Sequence, residues 1–263
     1  MSEEVVLYAA DGKVGVVTLN RPQKLNAMTM EMRLAIEAQL LRADADETTS
    51  VIVLRGEGRS FCVGFDVGGG NHPRPWRHDA IKYRERLAVS MRCLMTPWTL
   101  KKPVIAAVQG HALGGGCELA MFCDLTIAAD DALFGEPEIL FSQVGPAVLM
   151  PFIVGHKRAR EMWMLCRRYT AAQMLDWGLV NAVVPADQLD AEVRKWCDEL
   201  LALSPTALKT VKSSFKDHML PYIGKNVSDV VMEVAPGFFE TGEQEEGGRA
   251  FMEKRKPDFS RFR

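Results

Sequence analysis

Two glycine-containing turns and a pair of glutamates hold the residue types in this chain that could do chemistry. The first turn is Ser60-Phe61-Cys62-Val63-Gly64-Phe65-Asp66, and the second is Gly110-His111-Ala112-Leu113-Gly114-Gly115-Gly116-Cys117-Glu118-Leu119. Consecutive glycines expose backbone N–H groups that no Cβ shields. Here they open a helix, whose first turn carries unpaired donors and the positive end of the dipole. Such donors suit an oxygen that gains negative charge during a reaction. Glu118 lies three residues past Gly115, so its side chain falls on the same helix face as that amide. A donor for an oxygen and a carboxylate for a proton would then line one cavity. The plain alternative is that the glycines only let a helix pack close to a sheet, with Glu118 solvated nearby.

A second acidic segment follows at Phe134-Gly135-Glu136-Pro137-Glu138-Ile139. Pro137 is expected to fix the backbone so that Glu136 and Glu138 diverge, one toward solvent and one inward. Taken alone, this segment reads as a surface turn; taken with the two glycine turns, it supplies a second acid. Other chemistries lack their signatures. No Gly-x-Gly-x-x-Gly follows a strand, since Phe61 stands where the third glycine after Gly56 and Gly58 belongs. There is no phosphate-binding loop ending in Gly-Lys-Ser/Thr and no Gly-x-Ser-x-Gly elbow. The five histidines and six cysteines show no zinc-ligand spacing, so no metal is expected. The cysteines read as reduced, mostly buried small apolar residues.

The elements that must position these residues are legible from periodicity. Val5 to Tyr8 and Val14 to Leu19 flank an Asp11-Gly12 turn and predict a hairpin. Thr29 can cap a helix in which Met32, Ile36 and Leu40 recur at helical spacing. Val51–Leu54, Pro103–Val108, Asp124–Ala129 and Val180–Val184 read as buried strands, and Leu87, Met91, Leu94 and Met95 mark a helix. Residues 67–78, with three glycines and two prolines, read as a mobile loop. Helical periodicity takes over from Ala186, broken at Ser204-Pro205 and Pro236-Gly237. The pattern predicts an α/β core over residues 1–200 and a helical region over 201–263, without a sequence repeat.

With 48% hydrophobic and 25% charged residues in 263, the composition is that of a globular protein large enough to fold unaided. A net charge of −2 provides no field for nucleic acid or an anionic membrane. The longest apolar run, Ala147–Val154, contains Pro151 and is too short to span a bilayer. The acidic start at Glu3-Glu4 and the ending Arg261-Phe262-Arg263 match no targeting signal, and a cytoplasmic location is expected.

The stretches Asn20–Met28, Phe61–Asp66, Pro103–Gly110, Gly114–Ala120, Phe134–Ile139 and Ala250–Pro257 resemble, in order and spacing, the signature of the crotonase (enoyl-CoA hydratase/isomerase) family. The resemblance implies a spiral of repeated ββα units with a helical C-terminal region, assembled as trimers or dimers of trimers. It implies catalytic carboxylates at Glu118 and Glu138, and an oxyanion hole from the amides of Val63 and Gly115. It further implies coenzyme A along Lys24, Leu25, Asn26 and Ala27, with Cys62 and Asp66 nearby. Phe251 and Lys254, on one helix face by spacing, would reach the nucleotide end from a neighbouring subunit. Coenzyme A would come as part of the substrate, and no separate cofactor is implied. Two acids favour hydration or dehydration; isomerisation, retro-aldol cleavage, thioester hydrolysis and an RNA-binding relative are the alternatives.

Two local features qualify that expectation. Residues 67–98 hold Trp76, Tyr83, Trp98, Arg74, Arg77 and Arg84 where relatives shape the acyl pocket, which would suit a bulky, cyclic or polar acyl group. Packed core aromatics are the alternative. Pro146, in Val144-Gly145-Pro146-Ala147-Val148, falls where the family has a glycine whose amide helps hold the attacking water. Proline has no N–H to give, unless the loop is shifted and the Gly145 or Ala147 amide serves instead.

Overall fold

A computed structural model describes residues 4–68, 79–143, 145, 149–223, 240 and 242–260 of the chain. The chain opens with β1 (Val6–Asp11) and β2 (Val14–Leu19), paired antiparallel about Gly12. It continues through α1 (Met30–Ala45), β3 (Val51–Gly56), α2 (Ala80–Thr99), β4 (Val104–Val108), β5 (His111–Leu113) and α3 (Gly115–Met121). Then come β6 (Leu125–Ala129), β7 (Leu133–Gly135), a 3₁₀ turn at Glu138–Phe141, α4 (Met150–Leu165), β8 (Tyr169–Thr170), α5 (Ala171–Trp177) and β9 (Ala182–Val184). Helices α6 (Leu189–Leu201), α7 (Pro205–Ile223) and α8 (Glu243–Met252) complete the described chain.

The main sheet has the order β1-β2-β3-β4-β6-β9, parallel from β2 onward. A smaller sheet, β5-β7-β8, lies beside it, with β5 and β7 parallel. Single bridges extend this second layer backward, Met28 to Phe65 and Cys62 to Ala112. A structural repeat therefore runs through the chain although its sequence has none. A long strand (β2, β3, β4, β6) is followed by a short extended step (Met28, Cys62, β5, β7) and then a helix (α1, α2, α3, α4).

The unbroken apolar strands follow from burial on both faces. Along β3, Ile52 and Leu54 join the larger core under α1, α2 and α3, whereas Val51 and Val53 join a second core beneath α6, against Val193 and Cys197. In β4, Val104, Ala106 and Val108 face the first core, and Ile105 and Ala107 the second. Met32, Ile36 and Leu40 are all fully buried, and Thr29 caps α1 by accepting from the Met32 amide at 3.2 Å. The fourth predicted strand is shorter than its apolar run, because the Leu179 and Val180 amides both turn back onto the Met174 carbonyl at the end of α5. Most of the expected loop at 67–78, and the break at Pro236-Gly237, lie outside the described residues. Among the described residues no helix is long and apolar enough to cross a membrane.

One buried cation ties the helical region to the core. The Lys212 ammonium, on α7, donates to the Pro97 carbonyl (2.8 Å), the Lys102 carbonyl (2.8 Å) and Asp124 Oδ2 (2.6 Å). Pro97 lies in the last turn of α2, where carbonyls have no partner within the helix and the dipole favours positive charge. The same Asp124 oxygen accepts from the Val104 amide at 2.7 Å, at the start of β4. Lys212→Met would strand a buried carboxylate and two carbonyls, and should destabilise the fold by about 3–5 kcal/mol in denaturant unfolding.

Candidate active site

The second layer brings the two glycine turns together. The Cys62 amide donates to the His111 carbonyl (2.9 Å), and the Leu113 amide returns a bond to the Cys62 carbonyl (3.0 Å). Gly64 then stands so close to the second turn that a Cβ on it would lie 3.2 Å from the Gly115 nitrogen. The Val63 and Gly115 backbones thus share one corner of the site.

A third segment, Arg21–Met28, closes that corner, and Asn26 holds it. Asn26 is fully buried; its Oδ1 accepts from the Arg21 amide (2.8 Å) and its Nδ2 donates to the carbonyls of Glu57 (3.0 Å), Ser60 (2.8 Å) and Phe61 (3.1 Å). Leu25 and Asn26 both take left-handed backbone, φ 50° and 57°. This turns the Leu25 carbonyl onto the Val63 amide at 3.2 Å. Arg21 donates to the Ala27 carbonyl and pairs with Asp66 Oδ2 at 3.2 Å. Asp66 therefore pins the two segments to each other.

Cys62 is fully buried, with its thiol giving a bond to the Asn26 carbonyl at 3.2 Å. Burial pushes that thiol's pKa up to about 12, so it packs beneath the turn as a neutral donor. Lys24, in the Arg21–Met28 segment, is exposed.

Glu118 is positioned by α3, a seven-residue helix buried along its whole length. Gly114 precedes it at φ 53°, ψ −129°, a conformation for glycine. A Cβ at Gly114 would fall 2.1 Å from Glu138 Oε1, so the second glutamate lies directly on the glycine turn. On the far side the Gly145 backbone covers Glu118, where a Cβ would come within 2.2 Å of Oε1. Pro146 itself lies outside the described residues.

The expected divergence of Glu136 and Glu138 does not occur. Glu136 is fully buried, and one carboxylate oxygen from each of Glu118, Glu136 and Glu138 lies within 4.8 Å of the other two. Pro137 adopts φ −86°, ψ 7°, which starts the 3₁₀ turn at Glu138 rather than continuing the strand. Successive side chains therefore do not alternate between faces as they do along an extended chain. Glu136 is the site residue that sequence reasoning placed wrongly, and the compact Gly-Glu-Pro-Glu spacing was the available signal.

The electrostatics of the three acids follow from their burial. Both oxygens of Glu118, both of Glu136, and Oε2 of Glu138 are buried and meet no donor. Desolvation, followed by the charge of Glu138, raises the Glu118 pKa well above the usual carboxylate range. Glu136 is likewise raised, by desolvation and then by Cys117 and the two other acids. Glu138 is pushed up by burial to about 7, held back by its own amide, by the neighbouring Glu136 side chain and by the Gly115 amide. This cluster is also the one place among the described residues where acid, histidine or cysteine side chains approach closely enough to hold a cation.

The remaining predicted residues divide. Tyr83 is buried with its hydroxyl 3.4 Å from Gln143 Oε1, just beyond the Glu138 turn. Trp98 instead lines a groove with Asp124 and Lys212. Trp76, Arg74 and Arg77 lie outside the described residues. In the tail, α8 ends at Met252 and Lys254 takes φ 54°, so Phe251 and Lys254 do not share a helix face as expected. Phe251 stacks edge-on to Phe141 at 5.8 Å, and Ser142 donates to the Glu243 carbonyl at 2.9 Å. Helix α8 thus seats against the segment that carries Glu138.

A mixed α/β spiral, with one carboxylate on a glycine-turn helix and two at the turn after β7, places the chain in the crotonase class of folds. Residues 9–261 match the sequence profile of the enoyl-CoA hydratase/isomerase family, and the chain belongs to that family. An enoyl-CoA hydratase from Mycobacterium avium subsp. paratuberculosis K-10 superposes with a TM-score of 0.82 at 29% identity, covering 98% of this chain and 99% of that one. An enoyl-CoA hydratase/isomerase from Xanthobacter autotrophicus Py2 gives 0.78 at 31% identity, over 97% and 98%. A monofunctional enoyl-CoA isomerase from M. smegmatis gives 0.69 at 28% identity, over 82% and 93%.

Acids whose pKa is raised by folding bind protons more tightly in the native state. Their contribution to stability is full below the unfolded value, 4.5, and for Glu138 is lost as pH rises through about 7. Melting temperature should therefore fall between about pH 5 and pH 8. Glu138→Gln should flatten that slope by about 3 kcal/mol, read from calorimetry at both ends of the range.

Proposed function

We propose that this protein adds water across the Cα–Cβ double bond of a 2-enoyl-CoA thioester, or removes it from the 3-hydroxyacyl-CoA. The observation that carries this reading is the adjacency of two carboxylates, fully buried Glu118 and half-buried Glu138, each with an oxygen within 4.8 Å of the other's. Glu118 takes a proton from water as its oxygen attacks Cβ. Charge passes to the thioester oxygen, which the Val63 amide and the Gly115 amide, shared with Glu138, receive, and Glu138 gives its proton to Cα. One proton arrives on the pair as one leaves it.

The Leu25 carbonyl that accepts from Val63 at 3.2 Å is a long, neutral acceptor, which a developing enolate outcompetes. Each oxyanion donor in such a site is typically worth about 3–4 kcal/mol. Coenzyme A would run along Lys24–Ala27, with the exposed Phe251 ring and Lys254 at its nucleotide end. Relatives include hydratases and an isomerase. The second carboxylate favours hydration, because isomerisation needs only one group to carry a proton between carbons.

Glu118→Gln and Glu138→Gln should each lower kcat on 2-enoyl-CoA esters by roughly 10²–10⁴-fold while acyl-CoA binding is retained. Wild-type turnover in both variants would refute the assignment. The active pair carries one proton, so kcat/KM should rise as pH passes about 7 and fall once the last proton leaves Glu118. Both reaction directions start from the same proton count and should give the same profile. For the tail, Lys254→Ala should raise KM for coenzyme A esters more than for esters of a truncated pantetheine. Equal losses would remove it from the site.

A further inference from the structure

We infer that Glu136 is a positioning residue for Glu138, keeping its own proton and donating it in a hydrogen bond to the Glu138 carboxylate. This rests on the reading of Glu138 as the group that exchanges a proton with Cα. Glu136 has no part in that exchange as written. Yet it is fully buried, both its oxygens lack donors, and it follows the last residue of β7 into the glutamate cluster.

The titratable groups facing Glu136 are Cys117 and Glu118 on α3, and Glu138 on the next turn; Cys166, at the end of α4, faces Glu138. No cation is among them within the described residues. Three ionised carboxylates cannot share such a space without water or metal. A divalent ion of the oxygen-loving kind takes six or more ligands, so it would draw on both oxygens of each acid or on added waters. Protons need only one acceptor each.

The structure also ranks the acids. Glu138 has the amides of Gly115 and of its own residue to stabilise a charge, and Gly114 packs on its Oε1. Glu136 has neither, so of the two it is the one that stays neutral. A neutral Glu136 gains an O–H to donate, and the oxygen of Glu138 left without a donor is Oε2. That bond fixes the rotation of the Glu138 carboxyl and lowers its affinity for a proton, poising it to exchange one.

The direction of a pH shift tests this. In the full-length protein, Glu136→Gln keeps an N–H donor and should leave the acid limb of kcat/KM in place. Glu136→Leu and Glu136→Met remove the donor. They should raise that limb by about one unit, a tenfold change in proton affinity, and lower kcat more than they change KM. A downward shift in any variant would mean that Glu136 is an ionised neighbour; an unmoved limb in a folded apolar variant would make it a bystander. Either result overturns the inference. Carbon-13 NMR titration of the glutamate carboxyls in the wild-type protein decides the matter without substrate and independently of the reaction assigned. The resonance lost in Glu136→Gln should remain that of a neutral acid throughout the titration of Glu138. Ionisation of Glu136 before Glu138 would overturn the inference even if both apolar variants fail to fold.

Discussion

A carboxylate removed from water without a cation or a ring of donors prefers to keep its proton, and here three such groups lie within 4.8 Å of one another. Much of the surrounding architecture holds them at that separation. α3 is short and wholly buried, so Glu118 cannot swing to solvent. The 3₁₀ turn after Pro137 delivers Glu136 and Glu138 to the same side. Glycine backbones at 114 and 145 act as walls close enough to leave no room for a methyl group. Each raises the proton affinity of the acids by excluding water, and the Gly115 and Glu138 amides counter it at Glu138.

The ββα repeat explains how residues far apart in sequence reach one corner. Each turn of the spiral sets a short extended step beside the previous one, and the steps at Cys62 and β5 carry the two glycine turns into register. Asn26 then fastens the first turn of the spiral to the second with one amide and three bonds. It does so through backbone carbonyls, which impose no side-chain pattern on the partner segment.

Much of the fold could be read from the sequence, because burial on both faces leaves a plain mark: Val51–Leu54 and Pro103–Val108 had to be central strands. Thr29 and its Met32, Ile36 and Leu40 stripe specified α1 locally. The structural repeat was hidden, since each turn fills a different part of the core with different residues. At the site, Glu118 was legible from its distance to Gly115, a property of one helix. Glu136 was misplaced because the outcome depended on whether Pro137 stayed extended or began a turn, and its fixed φ permits both. The hub at Asn26 left no local signal, as its partners, the carbonyls at 57, 60 and 61, are sequence-independent. The separation of Phe251 from Lys254 turned on one left-handed residue after α8.

The bond from Lys212 to Asp124 spans 88 residues, and that distance matters when the chain is made from its N-terminus onward. Every strand of the main sheet leaves the ribosome before Lys212 does. Until then, the Asp124 side chain at the start of β6 and the last carbonyls of α2 must remain hydrated, or Asp124 must hold a proton. The nascent sheet can collapse, but the strand-start end of β4 and β6 near α2 stays wet and loosely closed until α7 arrives. A chain stalled or cut short before that helix would carry the complete pair of glycine turns and all three glutamates on a scaffold whose final seal is missing.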